Sequence, residues 1–255
     1  TSGNMLIGTG DTAATGKGGN IVVTVGSGAV TGGSLTLSSG KAGGGNSGAI
    51  LIGTNTATGG SGGQIEITVG SGSAGVGGHI DITAGKTGGT TGGQITITTG
   101  VSTQTDSGHF IVTTPDAGAG SGGVSGDIIL STGDSTAGNA GGLILGTGDG
   151  VGGRGGKIDL IAGSGDVGAG ADLTMAAGAT SVPEGETGGE TGGHVSLKTG
   201  YSAATASGDL TLLTADAGAA GVSGSLILST GDVTDASTSG NMLIGTGDTA
   251  ATGKG

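Results

Sequence analysis

The amino-acid sequence predicts an all-β fold: a parallel β-solenoid (β-helix) built of coils of about fifteen residues. Three observations carry this expectation. Units recur along the whole chain with a commonest step of fifteen residues. Each unit holds one short run in which apolar residues alternate with others. The remainder of each unit is Gly, Ser, Thr and Ala, with no second apolar run to close a conventional hairpin. A lone unit of this kind has nothing to bury its apolar face against, whereas stacked units would cover one another.

The units are visible in GGQIEITVG (62–70), GGHIDITAG (77–85), GGQITITTG (92–100), SGDIILSTG (125–133) and SGSLILSTG (223–231). Position 0 of a unit is taken as the residue after the second residue of the Gly-Gly or Ser-Gly pair. The units then start at 4, 20, 34, 49, 64, 79, 94, 109, 127, 142, 157, 172, 194, 209, 225 and 241. Position +1 is apolar from Met5 and Ile21 through Ile65, Ile80 and Ile95 to Met242. Position +3 is equally apolar, from Ile7 to Ile244, and +5 is small or β-branched, as at Thr9, Val25, Val69 and Ala84. Side chains alternate across an extended chain, so +1, +3 and +5 share one face. One strand per coil follows, with the Gly-rich half folded over its aliphatic face as a thin layer. The one long insertion falls in that half, where it stretches the unit at 172–193 to twenty-two residues; loops accept insertions more readily than strands.

Composition limits what else the chain can be. It has 69 Gly in 255 residues, one Phe, one Tyr, no Trp and no Cys. Aromatic core material is nearly absent. Disorder is the usual reading of so much Gly, but mean hydropathy is +0.19 and the apolar residues keep their register. Seven Lys+Arg stand against nineteen Asp+Glu, giving a net charge of -12, which disfavours nucleic acid and anionic membrane surfaces. No apolar run approaches the ~20 residues of a membrane span, and no signal peptide is visible. Without Cys the redox compartment stays open.

The first eighteen residues, TSGNMLIGTGDTAATGKG, recur letter for letter at 238–255, 237 residues later. The expectation is one continuous segment over 1–255, with 1–237 a super-repeat of fifteen coils and 238–255 the start of the next. With no terminal caps in view, it reads as a window cut from a longer tandem array. At ~4.8 Å per stacked strand, fifteen coils would advance about 70 Å. The units SGDIILSTGDSTAG, GGQITITTG and SGSLILSTGD resemble the Gly/Ser/Thr-rich repeats of very large extracellular proteins of algae and related microbes, among them flagellar hairs and adhesive fibres. That resemblance implies an extracellular structural role and carries over no catalytic residue.

Candidate chemistry is sparse. His79, His109 and His194 are the only histidines, and all stand at position 0 in separate units. With no Cys beside them, neither a zinc site nor a Ser-His-Asp triad is expected, and no enzymatic function is. Glu66 and Asp81 share position +2 of adjacent units, where stacking would set like charges about 5 Å apart. Position +7 carries Asp116, Asp134 and Asp149 in consecutive units, then Asp216, Asp232 and Asp248, with Asp11 equivalent to Asp248. Stacked, these would form two carboxylate ladders, and calcium is the candidate ion to relieve them. The competing reading is turn chemistry, each Asp bonding backbone two residues on. GGRGGKIDL (152–160) is only a distorted single copy of the nine-residue calcium repeat.

Position +2 should be polar if it faces water, and in many units it is. It is aliphatic at Leu6, Val22, Leu51, Ile111, Ile129, Ile144, Ile227 and Leu243. Leu6, Val22, Ile111, Ile129, Ile144, Ile227 and Leu243 form the expected interface, where copies of the array or accessory fibre proteins dock laterally. Cover by a loop of the same chain is the competing reading. A flat Thr array for ice binding is nearly missing, since Thr96 and Thr98 are its single outward pair. No Asn sits in an N-glycosylation sequon, while the many Ser and Thr leave O-glycans open. The function expected is a structural segment of a long extracellular filament or surface fibre, assembling by axial stacking and lateral docking. The alternative is a surface adhesin stalk or an ice-binding solenoid that presents a Thr or Asp face.

Overall fold

The computed structural model describes residues 3–12, 16–118, 122–180, 191–233 and 237–247. The chain divides into two units of structure, Thr1–Ile128 and Ile129–Gly255. Among the described residues of both there is no helix and no strand. This overturns the expected fold. The described residues form neither a β-solenoid nor a β-helix, and the spacing of about 70 Å that stacked rungs would give does not apply to them.

The physical reason lies in what each unit has to bury. A ladder needs backbones ordered at ~4.8 Å, and that ordering must be offset by burial. Each unit brings few aliphatic side chains, and its Gly-rich half adds only isolated ones such as Val76, Val151 and Val167, which stand almost fully exposed rather than lying over the run. No residue is buried among those described. The accessible area is 24911 Å² for 22.9 kDa, where a compact chain of that mass would expose roughly 9,600 Å² and a fully unfolded one roughly 33,000 Å².

The predicted alternation nonetheless survives as a gradient of exposure. In the run 64–70, Val69 at +5 is 40% exposed, Ile65 at +1 is 53% and Ile67 at +3 is 74%. Where +2 is aliphatic it projects furthest into water, as at Ile144, 91% exposed between Leu143 and Leu145. Contacts two residues apart show the same extended geometry. His79 Nε2 lies 3.4 Å from Asp81 Oδ2, and Lys157 Nζ lies 2.7 Å from Asp159 Oδ2. Gln64 Nε2 and Thr68 Oγ1 both donate to the Glu66 carboxylate, at 3.4 and 3.1 Å. Position 0, +2 and +4 therefore share a face, as period-two alternation requires.

Between the extended runs the chain bends sharply at one recurring place, positions +9 to +11: residues 43–45, 58–60, 73–75, 88–90 and 103–105 in the first unit of structure, and 136–138, 151–153, 166–168 and 203–205 in the second. Gly152 and Gly168 take φ of 76° and 88° in these bends, a left-handed conformation that side chains with a Cβ rarely adopt.

Candidate functional site

The organised feature of this chain is a set of closed loops. In eight units the chain leaves at a Gly in position +6, bends, and returns to the residue at position −1 of the next unit. There the returning N–H donates to the departing carbonyl. In the first unit of structure this joins Gly33 to Gly26 and Gly48 to Gly40 at 3.1 Å, and Gly93 to Gly85 and Gly108 to Gly100 at 2.9 Å. In the second it joins Gly156 to Gly148 at 3.3 Å, Ala171 to Gly163 at 3.2 Å, Gly193 to Gly178 at 2.9 Å and Gly208 to Gly200 at 3.1 Å.

A Thr hydroxyl at +5 makes a related bond, which joins the backbone closure at Gly156 and stands alone at three other junctions. The hydroxyls of Thr9, Thr54, Thr132 and Thr147 donate to the carbonyls of Gly19, Gly63, Gly141 and Gly156, each at 3.1 Å. The +5 side chain thus sits directly over the residue at −1. A Cβ added at Gly156 would lie 2.9 Å from Thr147 Cβ, and one at Gly93 would lie 3.2 Å from Ala84 Cβ. At Gly33 and Gly78 it would run into the Cγ1 of Val25 and Val69. This close approach explains Gly at these −1 positions, whereas at Gly108, Gly141 and Gly208 a Cβ would meet its nearest neighbours only at 3.5, 3.6 and 3.7 Å. Ala171 is the exception, and the +5 residue before it, Ala162, is itself small. The closure also accounts for the low exposure of +5 at Ala84, Thr99 and Thr199, which are among the few half-buried residues.

Within the loops a hydroxyl at +8 holds the bend. Ser102 Oγ accepts from the N–H groups of Gln104 and Thr105 at 3.2 and 2.9 Å, and Ser202 Oγ accepts from Ala204 and Thr205 at 3.4 and 3.0 Å. Ser135 Oγ accepts from Gly138 N–H at 3.0 Å, and Thr87 Oγ1 from Gly89 N–H at 3.3 Å. Such local side-chain bonds are characteristic of Ser and Thr in turns.

The expected chemical sites do not assemble. Among the described residues no group of three or more His, Asp or Glu could hold a metal ion. Asp116, Asp134, Asp149, Asp216 and Asp232 therefore form no calcium ladder there, and Asp248 lies outside the described residues. Glu66 is engaged by Gln64 and Thr68, and Asp81 by His79, each within its own run. No cavity is lined by the described residues. Among them no helix is long and apolar enough to cross a membrane. The interface candidates Leu6, Val22, Ile111, Ile129, Ile144, Ile227 and Leu243 are all exposed, as is Leu51.

Sequence reasoning missed the loop closures. Their signal was present in the pairing of residue sizes: Gly at −1 wherever +5 is Thr, Val or Ser, and Ala at −1 only after Ala. Compared with protein-family models, with curated proteins and with solved structures, the chain shows no significant match to any.

Proposed function

We propose that this chain is a structural repeat segment of a long extracellular filament or surface fibre, whose copies associate laterally through the aliphatic side chains at position +2. The observation that carries the reading is the exposure of Ile129, Ile144, Ile227 and Leu243, which recur at the same place in successive units and lie open to water. Exposed aliphatic groups that recur from unit to unit favour association over remaining in water. The return of TSGNMLIGTGDTAATGKG after 237 residues supports a tandem array, in which such sites recur along the length. A net charge of -12 keeps the bare faces of copies apart and leaves the aliphatic groups as the points of contact.

Electron microscopy and sedimentation of the chain test this, with the variant Ile129→Thr/Ile144→Thr alongside. The expected result is elongated bundles from the parent chain and a rise of about tenfold or more in the concentration at which the variant associates, the equivalent of ~1.4 kcal/mol or more of apolar burial removed. Discrete particles of the parent chain at every concentration, or a variant that bundles as readily, would overturn the reading.

A further inference from the structure

We infer that the closed loops store chain length, so that each unit acts as a short extensible spring. Between Gly148 and Gly156 lie eight residue steps, which fully extended span about 26–29 Å. Yet the N–H of Gly156 and the carbonyl of Gly148 are held 3.3 Å apart. Opening this closure alone releases roughly 20 Å of chain and leaves the neighbouring closures intact. Gly40 to Gly48, Gly85 to Gly93, Gly100 to Gly108 and Gly200 to Gly208 enclose the same eight steps behind the same backbone bond.

Three features make the device reversible. The fastening is one backbone hydrogen bond, with a Thr hydroxyl added at Gly156, and both are open to water, so neither opening nor closing has to expose or bury a core. The −1 glycine has no Cβ to obstruct the return against the +5 side chain. In the loops Gly100–Gly108 and Gly200–Gly208 the bend is preset by the hydroxyls of Ser102 and Ser202, so these loops close again from a shape that already turns back. Many weak closures in series open at similar loads. Pulling on the chain should therefore give a smooth, hysteresis-free lengthening rather than a series of ruptures. The inference does not depend on filament formation, because one isolated chain displays it.

The test is force spectroscopy on the single full chain, compared with a variant carrying Gly48→Val, Gly93→Val and Gly156→Val, where an added Cβ would meet its nearest neighbour at 3.3 Å or less. At intermediate load, where open chain is drawn out and closures still hold, the parent should be shorter than the variant by up to about 20 Å per closure, roughly 60 Å for the three, with the two curves converging at high load. A second measurement needs no variant. In solution NMR the amide shifts of Gly93, Gly108 and Gly156 should depend less on temperature than those of Gly43 and Gly44 in the loops. Coincident force curves, or equal temperature coefficients in the two glycine sets, would overturn the inference.

Discussion

Two neighbouring junctions in the unit Ile129–Gly255 close the same kind of loop with different residues. At the first, Thr147 at +5 lies over Gly156 at −1, and a Cβ at Gly156 would be 2.9 Å from the Thr Cβ. At the second, Ala162 precedes Ala171, and the Ala171 N–H still reaches the Gly163 carbonyl at 3.2 Å, close to the 3.3 Å of Gly156 to Gly148. The backbone bond is indifferent to which residue carries the bulk. What it requires is that the two side chains together stay small. The junction from Gly178 to Gly193 adds that loop length matters little, since fifteen residue steps close there at 2.9 Å.

The largest expected effect comes from adding bulk where none fits. Gly156→Val places a branched side chain against Thr147 and should open that loop, lowering its closed population about tenfold or more, as overpacking by ~1–3 kcal/mol does. Nuclear Overhauser contacts between residues 147 and 156 report it directly. Persistence of those contacts would show that the close approach is not what selects glycine.

The comparison sharpens with an exchange between the two junctions. Ala162→Thr alone should weaken the closure at Ala171, and Ala162→Thr/Ala171→Gly should restore it by recreating the Thr-over-Gly arrangement. The two changes should therefore be non-additive by about 1 kcal/mol, measured as closed populations by NMR in a double-mutant cycle. Additive effects would separate the +5 and −1 positions and break the size rule.

A smaller effect is expected inside the loops. VSTQTDSG at 101–108 and YSAATASG at 201–208 differ at several positions, yet Ser102 and Ser202 make the same bonds to the residues that follow. Ser102→Ala and Ser202→Ala should each weaken their bend by about 0.5–1 kcal/mol, seen as a steeper temperature dependence of the Thr105 and Thr205 amide shifts. Unequal effects would show that the differing neighbours, Gln104 against Ala204, share in holding the turn.

These features were unequally legible in the sequence. The unit boundaries, the face shared by +1, +3 and +5, and the placing of insertions in the Gly-rich half follow from period and composition, and the exposure gradient from Val69 to Ile67 preserves that face. The pairing of runs into ladders did not follow. Alternation identifies an extended segment but says nothing about its neighbour, and Ile65, Ile80 and Ile95 gain too little burial to bring their backbones together. Among the described residues the position +7 carboxylates form no group able to hold a metal ion, and Asp134 and Asp149 could meet only if the runs stacked. The closures left one trace in residue size: the single non-Gly at −1, Ala171, follows a small +5 residue, Ala162, although Ala84 and Ala177 are still followed by Gly93 and Gly193.

The smallest effect concerns how copies approach one another. Both units expose aliphatic groups at +2, at Leu51 in one and Ile144 in the other, on a chain whose net charge is -12. Charge opposes the approach and aliphatic contact favours it, and salt acts mainly on the first. Raising ionic strength from about 0.01 to about 0.15 M shortens the screening length from about 30 to about 8 Å, so the concentration needed for association should fall severalfold in sedimentation. For Ile129→Thr/Ile144→Thr the same salt should help much less, because relieving repulsion between faces stripped of their aliphatic groups leaves little attraction to act. If salt instead dissolves the bundles, charge pairs such as Lys157 with Asp159 would be exchanging partners between copies, and the contact would be polar rather than aliphatic.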